Sequence, residues 1–152
     1  MPTTLLTRAV HFSAAHRYWR PEWSEARNRA VFGACANPHG HGHTYRLEVT
    51  VAGEPDAETG FCADLAALDA VLRDEVLRPL DHQHLNHALP EFAFGQTVPT
   101  TENLLLWLWP RLAPRLAPAR LVRLRLHEDR DLFTDYHGPE PGDARGRPLR
   151  EV

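Results

Sequence analysis

Residues 41–52 alternate without a break: Tyr45, Leu47, Val49 and Val51 fall on one side, Arg46, Glu48 and Thr50 on the other. A period of two dictates a strand with one face in a core and one toward water. Residues 4–16 repeat the pattern, with Val10, Phe12, Ala14 and His16 on one face. Residues 121–128 give a third strand, where Val122, Leu124 and Leu126 alternate with Arg123, Arg125 and His127. Residues 131–136 give a weaker fourth. Faces like these need a covering layer, and two helical segments lie between the second and third strands. One begins at Asp64, a suitable N-cap, with Leu65, Leu68, Leu72 and Val76 as its apolar stripe and Pro79 as its end. The other begins at Thr100 or Thr101, with Glu102 in its positive first turn. It is apolar all round from Leu104 to Trp109, so burial on several sides is expected, with a kink or stop at Pro110. The order β-β-α-α-β-β predicts an α+β fold on an antiparallel four-stranded sheet. Residues 17–40 and 80–99 read as irregular connections. The division expected is a single domain over 1–136 and a polar Pro/Gly-rich tail over 137–152.

The charge pattern removes whole classes of function. All 17 basic residues are arginine, which excludes a Schiff-base lysine and the lysine of phosphate-binding loops. A net charge of -3 and a pI of 6.3 argue against a nucleic-acid or anionic-membrane partner. Cys35 and Cys62 stand far apart and suggest no disulfide framework. No apolar run has the length of a membrane span, and residues 1–5 lack the form of a signal peptide, so a cytoplasmic location is expected.

Histidine is in excess, ten of 152. On the second strand His41 and His43 share the inward face with Tyr45, and His16 ends the inward face of the first strand. Pairing the two strands as an antiparallel hairpin brings these three imidazoles together at one end of the sheet. Three histidines in a concave apolar setting suit zinc with a fourth position open to substrate. Two other readings compete: His16 as a hydrogen-bonded core residue, and a closed structural site completed by Cys35. Gly42 allows close approach of a ligand or of backbone. Glu128 continues the inward parity of Leu124 and Leu126 and suits a ligand rich in N–H donors, unless the strand stops at Leu126 or His127. Cys35, near a cation, is a candidate base or nucleophile. Asp81-His82 is a pair able to orient and charge an imidazole, or simple surface polarity.

Together, Phe12-Ser13-Ala14-Ala15-His16, Val31-Phe32-Gly33-Ala34-Cys35-Ala36-Asn37-Pro38-His39-Gly40-His41-Gly42-His43, Leu80-Asp81-His82, Pro99-Thr100-Thr101-Glu102-Asn103 and His127-Glu128 resemble the 6-pyruvoyl- and 6-carboxy-tetrahydropterin synthase family. The resemblance runs from about residue 7 to residue 136. It implies the tunnelling fold: an antiparallel four-stranded sheet with two helices between strands two and three. It also implies trimers that close their sheets into a barrel, stacked in pairs as a hexamer, with sites between subunits. By resemblance His16, His41 and His43 are Zn2+ ligands, Cys35 the catalytic proton acceptor, and Asp81 and His82 a proton relay. Glu128 grips the pterin ring, helped by Glu102 and Thr101 from a neighbouring subunit.

The implied substrate is 7,8-dihydroneopterin triphosphate, converted to 6-pyruvoyl-tetrahydropterin with loss of triphosphate. The five residues between Cys35 and His41, and the long insert before Cys35, resemble the 6-pyruvoyl branch. The 6-carboxy branch of queuosine and deazapurine synthesis has a shorter gap and is the alternative. A non-catalytic pterin- or metal-binding module is a second alternative. His39, His84 and Pro110 depart from the family pattern. Without lysine the triphosphate must meet arginine, with Arg17, Arg27 and Arg29 as candidates.

Overall fold

The computed structural model describes residues 3–140. Strand β1 (Thr4–His16) is followed by helix α1 (Glu25–Phe32), a 3-10 turn at Gly33–Ala36 and strand β2 (His41–Gly53). Helix α2 (Leu65–Leu72) continues through a π-helical stretch, Arg73–Leu77, into α3 (Arg78–Leu80). Then come β3 (Gln83–His84), α4 (Leu85–Ala88), α5 (Thr101–Leu112), β4 (Arg120–His127) and β5 (Phe133–Tyr136).

β1 and β2 pair antiparallel over their whole length, from Thr4 opposite Gly53 to His16 opposite His41. β4 pairs antiparallel with β2, and β5 with β4. The four expected strands are present, yet the sheet is five-stranded and mixed, in the order β3-β1-β2-β4-β5. The extra strand, β3, lies parallel to Ala14 and Ala15 of β1; two residues are too few to show any period. A bulge corrects a second expectation. Thr50 faces Arg123 while Val51 faces Leu121, so Val122 is the inserted residue and Leu121 takes the buried place expected of it.

Helices α2 to α5 cover one face of the sheet. Phe12, Ala14, Tyr45, Leu47, Val49, Val51, Leu124 and Leu126 pack there against Leu68, Val71, Leu72, Val76 and Leu80, and against Leu104, Leu105, Leu108 and Leu112. Each fully buried leucine contributes about 1.5–3 kcal/mol. Asp64 caps α2 by accepting from Ala67 N. Leu65, expected in the stripe, is 47% exposed, and Val71 is buried instead. Pro79 does not end the helix. The π turn ahead of it carries the Arg78 N–H back to Arg73 O, and the chain leaves the helix one residue beyond the proline. Pro110 lies inside α5 on an exposed position, and the helix runs two residues past it. The proline deletes one bond of the ladder, the one that would have run to Leu106 O, and it does so in the last turn, where little helix remains to be broken.

Both irregular connections contain structure. Residues 17–40 hold α1, capped by Ser24 accepting from Arg27 N and laced by a Glu25–Arg29 pair at 2.9 Å. Its only buried residue is Asn28, so it has no apolar stripe to read. Residues 80–99 hold β3, α4 and a 3-10 turn at Pro90–Phe92. Of the expected tail, residues 137–140 follow β5 without regular structure, with Gly138 against the Trp109 ring. The rest of that tail lies outside the described residues.

Candidate metal centre and active site

The hairpin register sets the site. His16 ends β1 directly opposite His41, which opens β2, and His43 lies opposite Ala14. One ligand atom from each ring falls within 4.8 Å of the others. Ring centroids are 4.9 Å apart for His16–His41, 5.1 Å for His16–His43 and 5.0 Å for His41–His43. His16 is fully buried. Its Nδ1 lies 2.9 Å from the Tyr45 hydroxyl, and its Nε2 3.2 Å from His41 Nε2. The tautomer that donates from Nδ1 to the phenol oxygen leaves the Nε2 lone pair facing the trio.

These atoms fit a cation. Burial, followed by the charges of His43, His41 and His84, pulls the His16 pKa down to about 3. The ring is therefore neutral at ordinary pH, as a ligand must be. Burial also lowers the His43 pKa, against the opposing pull of Glu128. His43 Nε2 is buried and has no hydrogen-bond partner: Glu128 Oε1 is 3.2 Å away but off the bonding direction. A buried unpartnered nitrogen costs about 1–3 kcal/mol, and a metal ion bound to the trio removes that cost.

The chain beside the three histidines requires glycine at two positions. Gly40 has φ +65, and a Cβ there would lie 2.5 Å from His16 O. At Gly42 a Cβ would lie 2.9 Å from Ala14 O. The close approach expected at Gly42 is thus made by β1 backbone.

Cys35 sits on the 3-10 turn after α1, with Sγ 3.7 Å from His41 Nε2. It stands beside the three-histidine cluster and is not a member of it. Burial, then the Glu128 charge, pushes its thiol pKa up, so it holds its proton in the metal-free chain. β4 ends at His127, as one reading expected, and Glu128 still keeps the inward direction. Its N–H donates to Leu132 O at 3.0 Å, in the turn to β5.

The pair expected to act as a relay lies elsewhere. Asp81 Oδ1 accepts from Ser13 N at 2.9 Å and lies 3.0 Å from His82 Nδ1. The Ser13 N–H, more than His82, holds the Asp81 carboxyl below the usual range. The His82 N–H donates to Ser13 O at 2.6 Å. Ser13 and Thr44 point away from the imidazole face, and the His82 side chain is 83% exposed. No hydrogen bond, ion pair or ring contact joins Asp81 or His82 to Cys35 or the trio among the described residues. Thr101 and the exposed Glu102 open α5: Thr101 Oγ1 is 2.7 Å from Thr134 Oγ1 and donates to Glu102 Oε2 at 3.2 Å. Of the candidate arginines, Arg29 is paired with Glu25, while Arg17 and Arg27 lie over Trp19 and Trp23, each at 3.9 Å.

Two site residues were hidden in the pattern. Tyr45 reads as core, although its inward position two residues after His43 places a hydroxyl beside the ligands. Tyr18 packs its ring 4.6 Å from His16. Burial, then the charges of Glu128, Cys35 and Glu102, raises its phenol pKa. We expect Tyr45→Phe to leave the fold intact and to weaken metal binding about 10–100-fold, the usual cost of losing an outer-shell partner. Metal titration against a chromophoric chelator measures it, and unchanged affinity would show that the phenol does not orient His16.

Comparison with known proteins agrees with this geometry. Residues 5–139 match the family model described as 6-pyruvoyl tetrahydropterin synthase. The 6-pyruvoyl tetrahydrobiopterin synthase of Drosophila melanogaster is 36% identical over 151 residues, 99% of this chain and 89% of that protein. The dihydroneopterin monophosphate aldolase of Pyrococcus furiosus is 35% identical over 129 residues, 84% of this chain and 91% of that protein. The solved 6-pyruvoyl tetrahydropterin synthase of Caenorhabditis elegans superposes with a TM-score of 0.84 at 33% identity, covering 91% of this chain and 98% of that one. Hairpin, imidazole trio and neighbouring thiol lie on a chain matched almost end to end, and the chain belongs to the 6-pyruvoyl tetrahydropterin synthase family.

Proposed function

We propose that the chain is a zinc-dependent lyase that converts 7,8-dihydroneopterin triphosphate to 6-pyruvoyl-tetrahydropterin with loss of triphosphate. The observation that carries this reading is Cys35 Sγ 3.7 Å from His41 Nε2, at the rim of three gathered imidazoles. His16, His41 and His43 would hold the ion, and a nitrogen-only set of three suits Zn2+ with an open position. Bound there, the ion would supply Lewis acidity, which favours loss of a proton from carbon next to an oxygen of the substrate.

The remaining work falls to side chains. Cys35 takes the proton from carbon as the thiolate; its thiol is protonated in the metal-free chain, and a cation held at the neighbouring trio would favour the thiolate. Glu128 accepts from the N–H groups of the pterin, with Glu102 and Thr101 assisting. Asp81 and His82 return protons from a neighbouring subunit. This assignment is supported by the exposure of His82 and its place on the other face of the sheet from Cys35. Assembly as a hexamer of two trimers would bring the two faces together, and it would cover the short edge strand β5. No helix among the described residues is long and apolar enough to cross a membrane, and the cytoplasm is the location proposed.

The test is the product. Mass spectrometry after incubation with dihydroneopterin triphosphate is expected to show the 6-pyruvoyl product, none after chelation, and recovery on adding zinc. A 6-carboxy product or an aldol cleavage product overturns the branch assignment. Metal binding with no turnover supports the non-catalytic alternative.

A further inference from the structure

The two residues after the metal ligand His16 reach across to the turn that carries Cys35. The Tyr18 N–H donates to Cys35 O at 2.8 Å, and Arg17 Nε donates to Ala36 O at 3.0 Å. The Arg17 guanidinium lies over the Trp19 ring, its Cζ 3.9 Å from the centroid. Arg17 is itself anchored, since its N–H donates to Asn86 Oδ1 at 2.7 Å. Asn86 is buried in α4, and its Nδ2 donates to Phe92 O at 3.0 Å. A strut therefore runs from the α4 segment through Arg17 to the Cys35 turn. In the short 3-10 turn at Gly33–Ala36, Ala34 O accepts from the Asn37 N–H at 3.1 Å, while Cys35 O and Ala36 O accept from Tyr18 and Arg17.

We propose that Arg17 is a positioning residue for Cys35: its Nε–H, oriented by stacking on Trp19, fixes the Gly33–Ala36 turn so that the thiol stays beside the metal ligands. This rests on the reading of Cys35 as the proton acceptor. It assigns Arg17 a role different from the triphosphate contact suggested by its charge. A guanidinium bonded to a carbonyl and stacked on an indole is shaped as a planar donor, and lysine does not reproduce that fork.

Two variants separate donor from charge. Arg17→Lys keeps the charge and loses the planar donor; Arg17→Met keeps a comparable apolar stem and loses both. The zinc-loaded enzyme is assayed for kcat and KM, for metal content, and for the iodoacetamide alkylation rate of Cys35, resolved from Cys62 by peptide mass spectrometry. Expected in both variants is a kcat about tenfold lower, KM within threefold, unchanged zinc content, and Cys35 alkylated severalfold faster as the turn loosens. A raised KM rescued by lysine, with unaltered alkylation, overturns the proposal in favour of anion binding. Zinc lost in step with activity overturns it in favour of a general structural role. Cys35→Ala turning over like wild type would instead sink the catalytic reading beneath it.

Discussion

Cys35→Ala is expected to lower kcat about 100- to 10,000-fold, the range for a positioned base, while zinc content and fold stay as in wild type. The argument is geometric. Cys35 is outside the three-histidine cluster, so removing its thiol deletes no ligand of the trio. It lies on a half-buried turn, so loss of one sulfur opens little core volume. Its Sγ is nonetheless 3.7 Å from His41 Nε2, beside any group coordinated at the trio. A fall in kcat with KM near wild type is the signature of an interaction made only in the transition state. Stopped-flow turnover with metal analysis on the same preparation reads both quantities. Loss of zinc together with activity would revive the closed structural site, with the thiolate as a fourth ligand. Equal turnover in variant and wild type would mean the proton goes elsewhere.

The parts of this site legible in the sequence are those written in a period of two. His16, His41, His43 and Glu128 were placed by parity on strands whose other inward residues are Phe12, Leu47 and Leu124, and burial enforces that parity. A one-residue slip would expose every one of them. What stayed hidden lacks a period. α1 carries no apolar stripe and is held by Ser24, a surface ion pair and buried Asn28. β3 is two residues long, and the π turn before Pro79 depends on tertiary packing. The Asp81-His82 pair shows a different limit. Asp81 and His82 are adjacent in sequence and do meet, yet their distance from Cys35 is a matter of sheet face. Parity for them could not be counted, because they follow a helix and His82 takes φ 58, a left-handed conformation that side chains seldom adopt. Tyr45 was misjudged by its neighbours: a hydroxyl among Leu47, Val49 and Val51 passes for bulk until the His16 Nδ1 beside it is seen.

His43→Ala should abolish metal binding, with affinity falling on the order of a thousandfold or more, since outer-shell partners alone are worth 10–100-fold. The same change should leave the metal-free protein about as stable as wild-type metal-free protein, because the ring it removes carries a buried, unpartnered Nε2. Metal and fold are then coupled only through binding. A ligand at a thousand times its Kd stabilises the folded state by about 4 kcal/mol, or about 10 °C in Tm for a domain of this size. Wild type should therefore lose about that much on chelation, and His43→Ala should lose nothing. Acid tests His16 separately. The folded pKa of His16, about 3, lies below its ordinary 6.5, so the unfolded chain takes up a proton that the folded chain refuses. That contribution to stability is complete above pH 6.5 and drains away as pH falls from there toward 3. Denaturant midpoints of the chelated protein should drop through this window in both His43→Ala and wild type, because His16 remains. A chelated wild type as stable at pH 4.5 as at pH 7.5 would mean that His16 is not the neutral, buried anchor on which the ligand trio is built.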